Sequence, residues 1–418
     1  MRRPSPTGPV AVTGIATRTP AGRHADQLWA ALLAAEGTLA SAYETPDADA
    51  EGLGFACRLP ATAIDSRDEQ RLGKLGRRLD PVVRLGLLTA LDALADACLP
   101  DHPQTGAAVA PDRCAVVAGS VFGASTSLES ADRGTYFVPM AMQSSLPASI
   151  SLSAGCAGPS LAVSAACATG AVAIGEGVRL IRDGIADIVI AGGAELLTGK
   201  SLAGIRASGA LTSCRRPLRS ARPFDVERDG TVAAEGAAFV ILEDPDSAAR
   251  RGARQYGWIT GYATNCDAHH LTNPSPAGQG AARCMRAALA DAGLDAADVV
   301  HVNAHATSTL VGDAAEARAI IDVFGARAVP VTANKAVTGH MMAASGAAEA
   351  IVCLLTLADR QAPPTANTTM LDESLEIDLV TGAPLPIPAG PVLSNSFGFG
   401  GHNAALLISP SLGTSEHT

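Results

Sequence analysis

The spacing of apolar positions predicts a chain of alternating strands and helices. Short apolar runs bounded by turn residues predict buried strands, and longer stretches with apolar residues every three to four positions predict helices. The predicted strands are 10–14, 114–119, 161–166, 188–192, 237–243, 299–304, 329–333 and 404–408. The predicted helices are 26–35, 81–97, 170–182, 279–292, 313–324 and 345–358. Such alternation is typical of an α/β fold, and the stretches 41–65 and 120–147 are predicted to be irregular.

One cysteine occupies a position that suits a nucleophile. Cys167 lies where the apolar run 161–166 gives way to the small residues that begin a predicted helix. A thiol at a helix N-terminus meets unpaired N–H groups and the positive end of the helix dipole, which favour the thiolate and can hold an oxyanion. The position therefore favours acyl transfer, with a buried structural thiol as the equally common alternative.

Two histidines follow predicted strands further along the chain. His305 lies in HVNAHATST, and His340 lies in TANKAVTGHMMAASG. Taken singly, each is more often a structural histidine than a catalyst. Together with Cys167 they form a Cys/His/His set at strand-to-loop junctions, which is where α/β folds assemble active sites.

Composition excludes several classes of function. The chain has 418 residues, more than one ordinary core, and a net charge of −10, which argues against nucleic-acid binding. We find no apolar segment of about 20 residues, and no apolar run behind the basic start, so we expect no membrane span and a cytoplasmic location. Nine cysteines without a Cys-x-x-Cys pair indicate neither a disulfide framework nor a zinc site.

Several motifs along nearly the whole chain carry a family resemblance. In order they are VAVTGIATRTPAG, SAACATG, ARPFDVERDGTVAAEGAAFVILED, CDAHHLTNPSPAG, VNAHATST, NKAVTGHMMAASGAAEA and LSNSFGFGGHNAA. The chain resembles the β-ketoacyl-acyl-carrier-protein synthases, closest to type II elongating condensing enzymes and polyketide ketosynthases. The resemblance implies the thiolase fold, an α-β-α-β-α five-layer sandwich of two related halves. It places the nucleophilic cysteine in residues 1–260, and the two histidines and the GFGG loop in residues 261–418.

The resemblance also implies a reaction, the decarboxylative Claisen condensation of an acyl group on Cys167 with malonyl-acyl-carrier-protein. The backbone N–H groups of Cys167 and Phe399 would hold the oxyanion. His305 and His340 would each point a ring N–H at the malonyl thioester oxygen, while Lys335 would bias the local field and organise His340.

Other residues are carried over in supporting roles. Asn303, Glu349, Ser394 and Asn395 would form a polar network that in some members binds a monovalent cation, although ordinary capping explains them as well. Thr307 and Thr309 would share one face of an extended segment and contact the pantetheine arm. Asp267 and Thr272 would move with Phe399 and Gly400 as two neighbouring loops, and Phe122 would set the length of the acyl pocket.

The implied partner is an acidic acyl carrier protein, which brings its own 4′-phosphopantetheine, so no other cofactor and no further metal is expected. An acidic enzyme needs a local basic patch to bind it. The residues expected there are Arg71, Lys74, Arg77 and Arg78 on one helical turn, and Arg206. A homodimer, or a heterodimer with a ketosynthase-like partner, is also expected.

Departures from the family pattern bear on the substrate. Ala306 stands where glycine is usual, TVAAEGAAF replaces a more glycine-rich segment, the region between Thr126 and Met140 is short, and Phe122 replaces a smaller aliphatic residue. These changes favour a polyketide or specialised-metabolite pathway over primary fatty-acid elongation. A non-catalytic, chain-length-setting subunit is the alternative, disfavoured because Cys167 is present. A thiolase is disfavoured because a second catalytic cysteine is expected there.

Overall fold

The computed structural model describes residues 8–35, 56–100, 109–130, 134–214, 216 and 219–411. Its helices are α1 (Ala25–Ala34), α2 (Ser66–Gly76), α3 (Pro81–Asp96), α4 (Ser125–Glu129), α5 (Phe137–Ala141), α6 (Ser145–Ala154), α7 (Thr169–Arg182), α8 (Gly199–Ala207), α9 (Pro245–Arg250), α10 (Gln279–Ala292), α11 (Leu310–Phe324), α12 (Lys335–Thr338) and α13 (Ser345–Asp359). The six helices predicted from apolar spacing are all among them, with ends that differ by at most a few residues.

The strands are β1 (Val10–Arg18), β2 (Ala56–Cys57), β3 (Cys114–Gly119), β4 (Ser160–Ala162), β5 (Ile188–Glu195), β6 (Ala233–Ala234), β7 (Gly236–Glu243), β8 (Gly257–Cys266), β9 (His301–Asn303), β10 (Pro330–Thr332), β11 (Gln361–Ala362), β12 (Asp378–Leu379), β13 (Leu385–Pro386), β14 (Val392–Gly398) and β15 (His402–Ser409). The strand predicted over 161–166 is wrong beyond Ala162, because the following residues form the turn that carries Cys167. The apolar pattern missed β8 and β14, which contain polar and glycine positions.

The stretch 120–147 is not irregular as predicted. It holds α4, α5 and the start of α6. These helices are short, so the apolar period could not reveal them. Of the other stretch predicted to be irregular, residues 41–55 lie outside the described residues.

One sheet of eleven strands runs through the molecule in the order β12-β10-β9-β14-β15-β8-β1-β7-β5-β3-β4. The strands β1 and β8 join its two parts, because Val10–Val12 pairs antiparallel with the start of β8. The proposed boundary at residue 260 falls within β8, and its placement stays a prediction.

Helices pack on both faces of the sheet, and two of them lie between its two parts. Helices α3 and α6 pack on the part that holds β3, β5 and β7, α10 packs on β8 and β15, and α7 and α13 pack against each other between them. Small residues permit this central contact. A Cβ on Gly170 of α7 would lie 2.6 Å from the carbonyl oxygen of Ala343 and 2.7 Å from the nitrogen of Ala347.

The central helix corrects one sequence expectation. Residues Met342–Asp359 are long and apolar enough to cross a membrane by length and composition, contrary to the expectation that no such segment exists. Of this segment, 83% is buried inside the protein. Its apolar surface is therefore explained by packing between the two parts of the sheet.

Candidate active site

Cys167 sits in a tight turn between β4 and α7. The preceding Ala166 has φ +48°, and the hydroxyl of Thr169 locks the turn by accepting from the N–H of Ala165 at 2.9 Å and donating to the carbonyl of Ala166 at 2.7 Å. This geometry places the thiol on the wall of a cavity of about 530 Å³. His305, His340 and Phe399 line the same cavity, so the structure brings the predicted residues together.

The charge state of Cys167 differs from the expectation. Burial raises the pKa of its thiol to about 12, and the charge of Glu195 acts in the same direction. Lys335 and the backbone N–H groups of Phe399 and Cys167 lower the pKa, but by less. The thiol is therefore the favoured form in the free protein. The two N–H groups predicted as oxyanion donors nevertheless both act on the sulfur in the direction that favours negative charge.

Lys335 holds His305, and not His340 as predicted. Its ammonium lies 3.3 Å from His305 Nδ1, donates to the His305 carbonyl, and forms a 2.5 Å ion pair with Glu349 Oε1. Because an ammonium is a donor only, Nδ1 of His305 accepts and the ring proton sits on Nε2. The N–H groups of His305 and Ala306 are fixed in turn by the buried carboxylate of Glu316, at 2.9 and 2.7 Å.

His340 reaches the cavity by a different route from the one predicted. It does not end a strand. It follows the short helix α12 and Gly339, whose φ is +68°. Its Nδ1 lies 3.1 Å from Ser345 Oγ, and its Nε2 has no partner among the described residues. The two imidazole rings meet edge to face, with centroids 5.4 Å apart.

Both imidazoles are neutral at physiological pH. Burial lowers the pKa of His305 and of His340 well below the usual 6.5, and the nearby ammonium of Lys335 lowers both further. A buried cation beside neutral imidazoles favours negative charge in the cavity. The arrangement suits an oxyanion or enolate that accepts hydrogen bonds from Nε2 atoms.

The predicted polar network is only partly assembled. Asn303 and Ser394 are in contact at 3.4 Å, and Glu349 is bound to Lys335. The amide of Asn395 points elsewhere, to Glu316 at 3.1 Å. Glu349 Oε2 is buried and has no hydrogen-bond partner among the described residues. The described residues contain no group of three or more His, Cys, Asp or Glu side chains that could hold a metal ion.

Thr307 and Thr309 lie on the cavity wall with their hydroxyls 3.1 Å apart. They share a face as predicted, but the segment is not extended. Ser308 between them has φ +67° and Ala306 before them has φ +29°. A side chain is strained in this left-handed region, which gives a physical reason to expect glycine at position 306, where this chain has alanine.

The two loops predicted to be neighbours are in contact. Asp267 donates its backbone N–H to Gly401 at 2.8 Å, and Gly400 donates to Leu271 at 2.7 Å. Asp267, Thr272 and the 40% exposed Phe399 line the cavity, whereas Gly400, at φ +82°, forms the turn behind the wall.

Comparison with known proteins identifies the family. Residues 7–248 match the N-terminal domain of β-ketoacyl synthases, and residues 256–369 match the C-terminal domain. The chain belongs to the β-ketoacyl synthase family. It is 35% identical over 412 residues to 3-oxoacyl-(acyl-carrier-protein) synthase 2 of Staphylococcus aureus, covering 96% of this chain and 97% of the relative. The corresponding enzyme of Vibrio cholerae is 33% identical over 418 residues, covering 96% and 98%.

Solved structures agree. A β-ketoacyl synthase from Burkholderia phymatum superposes with a TM-score of 0.87 at 32% identity, covering 96% of this chain and 99% of that one. A type II polyketide ketosynthase, solved with its acyl-carrier protein and bound to the hexaketide, gives 0.85 at 26% identity, covering 97% and 100%. The predicted family, thiolase fold and condensing acyltransferase activity in fatty-acid or polyketide biosynthesis are therefore confirmed.

In this β-ketoacyl synthase the predicted basic patch is less regular than expected. Helix α2 is interrupted at Gly73, whose φ is +54°, and ends at Gly76, so the four cations do not share one turn. Arg71 pairs with Asp92 at 2.5 Å, and Arg78 stacks on Tyr136 at 4.3 Å. The exposed cations of the predicted set also include Lys74, Arg77 and, in the last turn of α8, Arg206.

Sequence reasoning missed several residues of this ketosynthase site. They are Glu195, Glu316, Met342, Ser345 and Phe397, all of which contact the cavity residues or line the cavity. Glu195 left one signal, since a carboxylate directly after the buried run IVIAGGA needs partners. The others carry no spacing that would separate them from ordinary core or helix residues.

Proposed function

We propose that Cys167 accepts the growing acyl group and that His305 and His340 promote decarboxylation of malonyl-acyl-carrier-protein. The observation that carries this assignment is a single cavity lined by one thiol and two neutral imidazoles, with two backbone N–H groups at the sulfur. Each group supplies what one half-reaction needs.

In the first half-reaction the sulfur of Cys167 attacks the acyl thioester of the carrier. A bond forms between Sγ and the acyl carbon, and the bond from that carbon to the pantetheine sulfur breaks. Because Cys167 starts as a thiol, its proton leaves with the pantetheine thiol. The N–H groups of Cys167 and Phe399 hold the tetrahedral oxyanion, and Thr307 and Thr309 contact the pantetheine arm.

In the second half-reaction malonyl-carrier loses carbon dioxide. The thioester oxygen of the resulting enolate accepts hydrogen bonds from the Nε2 atoms of His305 and His340, and that of His340 has no hydrogen-bond partner among the described residues. The enolate carbon then attacks the acyl carbonyl on Cys167, and the Cys167 sulfur leaves and takes up the one proton that the overall reaction consumes from water. Lys335 supports this step through His305, because its charge stabilises the enolate while its contact fixes the imidazole.

The partner is an acyl carrier protein, as in the solved ketosynthase complex. We assign its docking to Lys74, Arg77 and Arg206, which are exposed cations on an enzyme of net charge −10. Arg71 and Arg78 belong to the same exposed set, where Asp92 and Tyr136 contact them.

The chain acts as a dimer, with itself or with a ketosynthase-like subunit. This proposal is supported by β4, which ends the sheet with all three of its residues exposed. Leu161 of β4 is 42% exposed and Leu152 of α6 is 72% exposed. An exposed edge strand flanked by apolar side chains is a surface that proteins usually cover.

A structural monovalent cation is supported by Glu349 Oε2, which is buried and has no hydrogen-bond partner among the described residues. The specialised-metabolite pathway is supported by Phe122, which lines the cavity with an aromatic ring. Both are proposals about this chain and are separate from the catalytic assignment.

Mass spectrometry of Cys167 tests the function. The protein is incubated with a panel of acyl-carrier proteins bearing short, long, branched and polyketide chains, and the mass added to the Cys167 peptide is measured. We expect a thioester adduct with one group of chains and its elongation after malonyl-carrier is added. A protein that forms no adduct with any acyl chain would contradict the assignment.

A further inference from the structure

The acyl end of the cavity is built from two separate segments. One is the turn 120–123 after β3, which brings Val121 and Phe122 to the wall. The other is the short turn Met342–Ala344, where Met342 lines the wall with its sulfur 4.0 Å from the Cys167 sulfur. The turn 120–123 belongs to no helix or strand, and Met342–Ala344 is a single turn that leads into α13, so hydrogen bonds from outside the two segments help to fix their positions.

Glu195 contacts both segments. It is the last residue of β5 and is fully buried. Its Oε1 accepts from Ser120 Oγ at 2.8 Å and from the Phe122 N–H at 3.2 Å, and its Oε2 accepts from the Val121 N–H at 2.8 Å and the Ala343 N–H at 3.5 Å. Ser120 Oγ in turn accepts from the N–H of Gly123 at 2.9 Å.

We propose that Glu195 is a specificity-determining positioning residue, which holds the Phe122 turn and the Met342 turn together and so sets the length of acyl chain that Cys167 accepts. The inference rests on the proposed function of Cys167. Glu195 does not touch the acyl chain itself. It acts through Phe122, Val121 and Met342.

The donor pattern requires a carboxylate. All four contacts present a hydrogen to Glu195, and both carboxylate oxygens accept. In Glu195→Gln one oxygen becomes an NH₂ group, which cannot bond to the N–H donors and can keep at most a contact with the Ser120 hydroxyl. The variant has nearly the same size, so it releases the turns without opening a cavity at residue 195.

Glu195 also affects the nucleophile through its charge. Its carboxylate is one of the groups that raise the pKa of the Cys167 thiol. Burial raises the pKa of Glu195 itself to about 7, so the carboxylate is largely ionised at pH 8. At this pH Glu195→Gln should increase the rate at which iodoacetamide alkylates Cys167, and this effect is separable from anchoring.

The test compares variants on a series of acyl-carriers of increasing chain length. For each variant, kcat/KM is measured for the acyl chain that wild type prefers and for a chain one acetate unit longer. In Glu195→Gln we expect the ratio of the longer to the preferred chain to rise about tenfold over wild type, mainly through KM. Ser120→Ala removes one contact, so we expect a smaller rise. Because the Ser120 hydrogen bond lowers the pKa of Glu195, the variant carboxylate is less ionised at pH 8, and the alkylation rate should increase by less than in Glu195→Gln. The control is Glu243→Gln. Glu243 is a buried carboxylate on β7, which pairs with β5, and it lies at the end of this pair opposite to Glu195. We expect its chain-length profile to match that of wild type.

A wild-type chain-length profile in a folded Glu195→Gln variant overturns the proposal. If Glu195→Gln does not fold, Ser120→Ala decides, and its unchanged profile would equally overturn the proposal. These outcomes differ from failure of the proposed function, in which the wild-type protein itself would form no acyl adduct on Cys167.

Discussion

The two ends of the cavity are held in place by different forces. At the histidine end, buried charges and imidazoles contact one another directly: Lys335 binds His305 and Glu349, and Glu316 binds the backbone of His305 and Ala306. At the acyl end, the wall consists of apolar side chains such as Phe122, Ile205 and Met342, on turns and near the C-terminal end of α8. Substitutions should therefore change rate at the first end and substrate choice at the second.

The histidine end tolerates little change because its groups are interdependent. The ammonium of Lys335 makes three contacts, to His305 Nδ1, the His305 carbonyl and Glu349. Removing one member of such a buried set leaves another charge or donor without a partner, which costs about 3–5 kcal/mol. The acyl end lacks this coupling in its lining side chains, since apolar contacts are lost gradually with size.

The largest expected effect is that of Cys167→Ala. The variant should form no acyl adduct and should lose condensation by ~10³-fold or more, because the nucleophile is gone. Decarboxylation of malonyl-carrier should persist, since His305 and His340 are unchanged. Carbon dioxide release and product formation are measured in parallel. An alanine variant that still elongates acyl-carrier would show that Cys167 is not the nucleophile.

The histidine variants should show the reverse pattern. In His305→Ala or His340→Ala we expect decarboxylation to fall by about 10²–10⁴-fold, because the enolate loses a hydrogen-bond donor. Acylation of Cys167 should persist in part, since the N–H groups of Cys167 and Phe399 remain. Stopped-flow or quench assays of each half-reaction measure the two rates. Equal losses in both half-reactions would argue against a division between the two ends.

The two ends also differ in what the sequence could predict. Cys167, His305 and His340 lie in motifs with local spacing, and the structure brings them to one cavity. The contact of Lys335 with His305 could not be predicted, because it depends on a turn of α12 that brings residues 30 positions apart together. Glu195 was missed for the same reason: its partners come from two distant segments, and only one buried carboxylate marks it in the sequence.

The strands show the same limit. Strand β3 was predicted with correct ends because its residues are apolar throughout, whereas β14 was missed because Ser394, Asn395 and Ser396 interrupt the apolar pattern. Those polar residues are buried beside the site. The pattern fails where function places polar groups in the core.

Folding stability should depend on pH through the histidine end. An imidazole has a pKa of about 6.5 in the unfolded chain, and His305 and His340 lie well below this in the folded protein. Below pH 6.5 the unfolded chain therefore takes up protons that the folded protein does not, and stability falls as the pH falls. Above pH 6.5 both states are neutral and this contribution is constant.

A double variant, His305→Asn with His340→Asn, isolates the effect. Between pH 7 and pH 5.5 the wild-type free energy of unfolding should fall by roughly 2 kcal/mol more than that of the variant, about 1 kcal/mol for each histidine. Buried carboxyls such as Glu195 titrate in both proteins and cancel in the comparison. Urea unfolding at the two pH values gives the numbers, and parallel changes in both proteins would refute the buried neutral state.

A smaller effect is expected outside the cavity, at the proposed docking cations. Lys74→Glu or Arg206→Glu should raise KM for carrier-bound substrate by about two- to fivefold at low salt, because exposed charges contribute little individually. Turnover of a small thioester, which does not use the carrier, should be unchanged. Added salt should diminish the difference from wild type. A loss on both substrates would point to misfolding. Arg250→Glu, a charge reversal at an exposed cation of α9 outside the proposed docking set, serves as a control.

At the acyl end, Phe122→Ala should change the rate least of all these variants. It should instead change which acyl chains are accepted. The ring lines the cavity and is half-buried, so its removal frees volume next to Cys167 while costing about 1–2 kcal/mol of stability, less than a fully buried phenylalanine would. Cys167 should then be acylated best by longer chains, with little change in the maximal rate. Phe324→Ala, a half-buried ring on the outer helix α11, should lose similar stability and keep the wild-type profile. Mass-spectrometric acylation across a chain-length series measures both. If Phe122→Ala keeps the wild-type optimum, or if the wild-type protein already prefers long chains, the ring does not set the accepted chain length. The acyl end would then not control specificity as the comparison of the two ends requires.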